Sequence, residues 1–232
     1  DKANIAGSLM HLNRMLGRHS DKKAVQRLID RVATPYGNLP EAHFAMGLAA
    51  ANADDLMHAQ GEFQKALQLR PDWESAELAY AQLLARTSPA SAIESLNEFL
   101  ARKPDARDAR LTLARLLISE RKYDAARAQF DILLKDSPDN PDVVYPVAML
   151  ALQQGDAAGA RSQLEKLLKS DFPDKSAVHF FLGQLEEEEK KPDLALDHYR
   201  LVTAGDQYIA ARGRAAQILL RQGKLEEARE LL

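Results

Sequence analysis

An alanine recurs along this chain at Ala24, Ala59, Ala92, Ala126, Ala160, Ala195 and Ala228, with spacings of 35, 33, 34, 34, 35 and 33 residues. Four residues after each comes a large apolar side chain: Leu28, Phe63, Leu96, Phe130, Leu164, Tyr199 and Leu232. A small and a large residue one helical turn apart share a helix face. Repetition of that face near 34 residues constrains the fold more than any other feature, because such a unit can bury its apolar side only against its neighbours. A second small series, Gly47, Ala81, Ala114, Ala148, Gly183 and Ala216, falls near the middle of the preceding predicted helix. Its size lets two helices of a pair approach closely.

Each unit therefore reads as helix A, a short turn and helix B. In the fourth unit the pattern predicts helix A over Arg107 to Ser119, a turn at Glu120-Arg121-Lys122, and helix B from Tyr123 to Lys135, ended by Ser137-Pro138. Pro71, Pro104 and Pro138 punctuate the units, and Pro40 and Pro141 stand at first helical positions, where no hydrogen bond is lost. Gly155 and Gly223 occupy the A-to-B turn, where positive φ is easiest for glycine. The third unit lacks a residue around Ala85 to Pro89, so Ser88 as N-cap and Pro89 as first helical residue predict a tighter turn. In the fifth, Pro146 removes a backbone donor inside helix A and an extra residue precedes Pro173, which predicts irregular packing. The predicted boundaries are an atypical pair over residues 1–39, five repeats at 40–73, 74–106, 107–140, 141–175 and 176–208, and an incomplete repeat at 209–232. In the atypical pair, Leu12 or Asn13 stands where glycine or alanine is expected.

With these residues the chain resembles the tetratricopeptide repeat (TPR) family. The resemblance implies an all-α, right-handed superhelix (α-solenoid) of about seven helical pairs, its concave face lined by helix A and used for partners. Carried over by position, the fifth residue of each helix A faces that groove: Phe44, Leu78, Leu111, Tyr145 and Phe180, then Gly213. Two readings stand for this row. Its aromatic members can anchor a peptide, or its side chains can be packing between successive repeats. Arg86, Arg115, Ser119, Met149, Gln153 and Gln184 fall at other groove positions, a mixed lining suited to a partner's backbone. Chaperone-binding members of the family hold a terminal carboxylate with Lys and Asn at positions five and nine. Here position nine reads Leu48, Gln82, Arg115, Met149, Gln184 and Gln217, so that clamp is absent.

Composition narrows the function classes. In 232 residues, 46% are hydrophobic and only 6% aromatic, the alanine-rich balance of close helix packing. Lys+Arg 31 against Asp+Glu 34 leaves a formal charge of -3, with no net basic field for nucleic acid. With no cysteine there is no disulfide, thiolate zinc site or cysteine nucleophile. No apolar run reaches the roughly 18 residues of a membrane helix. His11, His19, His43, His58, His179 and His198 include no His-Glu-x-x-His pair, and no nucleophile elbow or phosphate loop occurs. Asp55 with His58, and Asp193 with Asp197, lie one turn apart, a spacing that is usually a solvated helix face. Trp73, beside Pro71, is expected at or near the core. The run Glu186 to Glu189 is either a rim that steers a basic partner or a solvated helix end.

The stretches Pro71 to Ala76, Leu150 to Asp156 and Phe181 to Glu187 are similar to proteobacterial outer-membrane TPR lipoproteins, which include adaptors of carboxyl-terminal processing proteases. The expectation is a non-catalytic scaffold that binds a protein or peptide partner in its groove, as a bacterial cell-envelope adaptor of such a protease and its substrates. No cofactor, metal, nucleic acid or direct membrane insertion is expected of this chain. The full-length protein is placed in the periplasm, tethered to the outer membrane, with the cytoplasm as the alternative. Two other readings stay open: a self-assembling TPR module associating through its C-terminal repeat, and the regulatory portion of an enzyme whose catalytic domain lies elsewhere. A start at Asp1 without methionine and an end at Leu231-Leu232 lead us to expect a fragment of a longer protein.

Overall fold

The computed structural model describes residues 2–231, with side chains other than those at positions 2–4, 6 and 16. Leu232, expected to complete the last apolar pair, lies outside the described residues. Fourteen α-helices follow one another among the described residues: α1 (Lys2–Leu16) and α2 (Lys22–Ala33), α3 (Pro40–Asn52) and α4 (Leu56–Leu69), α5 (Glu74–Thr87) and α6 (Pro89–Arg102), α7 (Arg107–Ser119) and α8 (Tyr123–Asp136), α9 (Pro141–Gln153) and α10 (Ala157–Lys169), α11 (Lys175–Glu188) and α12 (Pro192–Arg200), α13 (Tyr208–Arg221) and α14 (Leu225–Leu231). A single 3-10 turn, Thr34–Tyr36, follows α2. The helices form two compact units, Asp1–Gln129 and Phe130–Leu232, with the division inside α8.

In the first unit α3 packs on α4 and α5 on α6, while the A helices α1, α3, α5 and α7 also touch in succession. In the second, α9 packs on α10, α11 on α12 and α13 on α14, with α10 against α11 and α12 against α13. Size complementarity closes these pairs. A Cβ added at Gly47 would meet the Phe63 ring at 2.7 Å, and one at Gly183 would meet the Tyr199 ring at 2.6 Å. Where the equivalent helix A residue is Ala81 or Ala148, helix B carries the smaller Leu96 or Leu164, and all four are buried.

Five of the A-to-B turns share one geometry. The middle residue is left-handed, at Asp54, Arg121, Gly155, Lys190 and Gly223. In each, the next residue's N–H reaches five residues back, as from Asp55 to the Ala50 carbonyl at 2.9 Å and from Asp156 to that of Ala151 at 2.8 Å. The left-handed residue's own N–H reaches three back. This is the Schellman arrangement, which satisfies carbonyls that a helix end leaves free. In the third pair Ser88 alone separates α5 from α6, and its hydroxyl accepts from the Ser91 N–H, so the turn is tighter as its missing residue predicts.

The first pair corrects the sequence register. Leu28 is 44% exposed, whereas Val25 and Ile29, at 6% and 0%, fill the buried positions. The physical reason is the cap: Asp21 accepts from the Ala24 N–H and starts α2, which places Val25 and Ile29 four and eight residues past the cap. Ala59 and Phe63 stand at the same distances from the Asp55 cap of α4. Ala24 and Leu28 are therefore one residue, about 100° of helix, out of phase. Asn13, at the position where a small residue was expected, is buried and donates to the Ala45 carbonyl at 2.8 Å. Helix α9 runs on through Pro146.

Candidate partner-binding site

Beneath the apolar repeat lies a polar one. Within four of the seven pairs, one helix A side chain meets a helix B side chain 18 or 19 residues later: His43 with Glu62 at 2.6 Å, Glu77 with Ser95 at 2.7 Å, Arg110 with Gln129 at 2.8 Å and His179 with His198 at 3.1 Å. Burial raises the Glu77 carboxyl above its ordinary value, against the Ser95 hydroxyl that donates to it. Burial would raise Glu62 as well, but hydrogen bonds from His43 and Lys65 outweigh it and hold that carboxyl low. In the fifth pair the helix A member is Val144, and Gln163 Oε1 is buried without a partner among the described residues. His43 and His179 thus occupy the same structural position, as their repeat register predicts.

The row of fifth positions divides. Phe44 is 7% exposed, its ring 4.7 Å from Trp73 and 5.8 Å from Phe63, and Phe180 is 8% exposed against Phe181 and Tyr199. These two fall to inter-helix packing in the present conformation. Trp73 is half-buried against that core, as expected near it, with the Arg70 guanidinium 4.7 Å over its ring. Tyr145 is half-buried and stacks on Phe172 at 5.1 Å, with 23° between the rings. Phe172 comes from the linker carrying the extra residue before Pro173, so that insertion covers the ring. Leu78 and Leu111 are half-buried, and Arg115 and Ser119 exposed; Ser119 bonds back to the Leu116 carbonyl. Arg86 pairs with Asp54 at 2.5 Å, both ends largely solvated. A pair so exposed contributes about 1 kcal/mol at most.

Met149, Gln153 and Gln184 are brought together in the second unit. With Leu152, Gly155, Ala157, Phe181, Leu185 and Glu188 they line an open cleft of about 380 Å³ between α9, the start of α10 and α11. Met149, Leu152 and Phe181 pack partly on the unit's core and present apolar surface. The Gln153 and Gln184 amides have no hydrogen-bond partner among the described residues. Gly155 has φ +74 and nothing within 4 Å of where a Cβ would stand, so no side chain roofs the cleft at its turn. Phe181, Leu152 and Glu188 are additions to the sequence-derived set. Leu152 and Glu188 come one turn after Met149 and Gln184 on their helices, a signal available in the helical period.

The acidic run Glu186 to Glu189 is mostly engaged internally. Arg161 bonds both Glu186 and Glu189, and Lys191 donates to Glu189 at 2.6 Å. Those donors, Lys191 first and then Arg161, hold the Glu189 carboxyl below its ordinary value. Glu187 accepts from Arg214 at 2.8 Å and from the Tyr199 hydroxyl at 2.5 Å. Burial, reinforced by that carboxylate, pushes the Tyr199 phenol up. Of the polar pairs one turn apart, Asp55 caps α4, and Asp193 accepts from Gln222 at 2.9 Å. No group of three or more ligating side chains suited to a metal occurs among the described residues. No helix among them is long and apolar enough to cross a membrane.

Consecutive antiparallel helix pairs, closed by small-on-large contacts and Schellman turns, define a helical repeat protein of the scaffold class. Two family models described as Tetratricopeptide repeat match residues 83–150 and 147–209. The chain belongs to the tetratricopeptide repeat family. It is 27% identical over 172 residues to Cellulose synthase operon protein C of Escherichia coli, covering 69% of this chain but only 14% of that protein. It is 41% identical over 56 residues to a TPR repeat-containing protein of Pseudomonas aeruginosa, covering 24% of this chain and 10% of that protein. Among solved structures it is similar to PilW, a widely conserved type IV pilus biogenesis factor, with a TM-score of 0.65 and 16% identity, covering 88% of this chain and 94% of the other. It is also similar to a tetratricopeptide repeat protein from Parabacteroides merdae, with a TM-score of 0.63 and 15% identity, covering 98% and 91%. TPR repeats mark a protein-interaction scaffold.

Proposed function

We propose that this protein is a non-catalytic scaffold that docks a segment of a partner protein in the second-unit cleft, as an adaptor in the bacterial cell envelope. The observation that carries the reading is the cleft itself: apolar side chains on its floor beside two amides with no internal partner. Apolar surface holds a side chain of the segment, and free amides pair with its backbone, a division of roles common to peptide-binding grooves. Because the helices are already packed, little ordering entropy opposes binding. The envelope assignment draws support from the similarity to outer-membrane TPR lipoproteins and from relatives named for a cellulose synthase operon and for pilus biogenesis. On this reading the partner is a processing protease or one of its substrates.

The test is affinity capture from a proteobacterial envelope extract, with the parent compared to a Gln153→Arg/Gln184→Arg variant whose helix content is checked by circular dichroism. The expected result is a processing protease or cell-wall hydrolase retained by the parent and lost from the variant. Equal retention by both would refute docking in this cleft.

A further inference from the structure

The cleft has a counterpart one helical pair further on, where positive charge stands at positions that are neutral or negative in the first. The second cleft, about 420 Å³, is lined by Glu187, Lys190, Pro192, Ile218, Arg221 and Gln222. In repeat register Lys190 stands for Gly155 and Arg221 for Glu188. Glu188 is the member of its acidic run without an ion pair among the described residues, and it is the one that lines the first cleft. In the second cleft the Glu187 carboxylate is already occupied by Arg214 and Tyr199, whereas Lys190 and Arg221 have no ion-pair partner among the described residues. Helix α11 contributes to both clefts, Glu188 to the first and Glu187 to the second, while the turn after it gives Lys190 and α13 gives Arg221 to the second, so an uncommitted negative charge stands on one side of this helix and two uncommitted positive charges on the other.

We propose that the second unit selects a partner segment of mixed charge: an apolar side chain and a basic residue in the first cleft, and an acidic residue in the second. This rests on the docking reading above and adds the chemistry of the segment. Neighbouring helices lie about 8–10 Å apart, and an extended chain advances about 3.3 Å per residue, so residues of the segment that meet Glu188 on α11 and Arg221 on α13 stand about three positions apart. Opposite charge at both points favours the correct segment, and like charge at either point penalises a wrong one.

The experiment uses fluorescent, end-capped nine-residue peptides with leucine beside the first of two charged residues three positions apart. The mixed-charge peptide is made in both chain orders, alongside all-basic and all-acidic versions, and affinity is read by anisotropy at low salt. One mixed order is expected to bind about threefold or more tighter than either like-charge peptide, with the margin shrinking as salt is added. Glu188→Lys should move the preference to the all-acidic peptide, and Lys190→Glu/Arg221→Glu to the all-basic one. All three side chains are exposed, so neither variant disturbs the core. Equal binding of all peptides, unchanged by these variants but lost in Gln153→Arg/Gln184→Arg, would overturn charge selection and leave docking intact. Binding of no peptide by the parent would overturn both.

Discussion

At the scale of single residues, three positions show local rules set against packing. Gly183 lies mid-helix, where alanine is ordinarily better by about 1 kcal/mol. Its neighbour is the Tyr199 ring, 1% exposed and unable to swing away. Gly183→Ala is therefore expected to destabilise by about 1–3 kcal/mol in urea denaturation. Adding Tyr199→Leu, the pairing seen at Ala148 and Leu164, should recover part of that loss, a coupling readable from a double-mutant cycle. Additive losses would contradict the size-complementarity account. Arg121 is the opposite case, an exposed non-glycine residue at φ 57 in a Schellman turn. Replacing it with glycine removes the left-handed penalty, and Arg121→Gly should stabilise by about 0.5–1 kcal/mol. Gln163→Met removes a buried acceptor that Val144 cannot satisfy, and a gain of about 1 kcal/mol is expected in the same assay.

At the scale of elements, the His179–His198 contact joins α11 to α12 and makes that pair sensitive to pH. Burial, then His198 and Lys175, lowers the pKa of His179. For His198 burial again lowers it, against Glu186, Asp197 and Glu165, which raise it, and with Arg161, which lowers it. A histidine with a depressed pKa binds fewer protons folded than unfolded, so stability is fully present above the ordinary value near 6.5 and falls as pH drops below it. Denaturation at pH values on either side should show this loss, and His179→Gln should flatten it; an unchanged slope would remove the pair from the account. The helices themselves were legible in the sequence because caps, glycines and apolar period agree, as in α7, whose predicted and observed limits coincide. The first pair was misread because alanine spacing was followed past a cap that shifts the register by one residue. The polar ladder was missed because its members, histidine, glutamate, arginine and glutamine, share position but not chemistry. Groove candidates were legible only as helix positions. Whether Phe44 or Phe180 is free depends on Trp73, Phe181 and Tyr199, whose rings no spacing rule orients.

At the scale of the whole chain, each compact unit is built from near-neighbour interfaces, so its surface is set without a remote framework. Inside the first unit, Arg70 pairs with Glu41, Glu74 accepts from the Ala109 N–H and Arg86 is tied to Asp54. The second unit leaves uncommitted what a partner can use: the Gln153 and Gln184 amides, the apolar floor and Glu188. The central claim is that a partner segment lies there. The most direct measurement places a photo-crosslinking side chain at Gln153, at Gln184 and, as a control, at exposed Ser162 on α10, then irradiates each protein in envelope extract and identifies adducts by mass spectrometry. The account predicts one shared protein adduct at Gln153 and Gln184 and none at Ser162; the same adduct from all three, or an adduct at Ser162 alone, would contradict it.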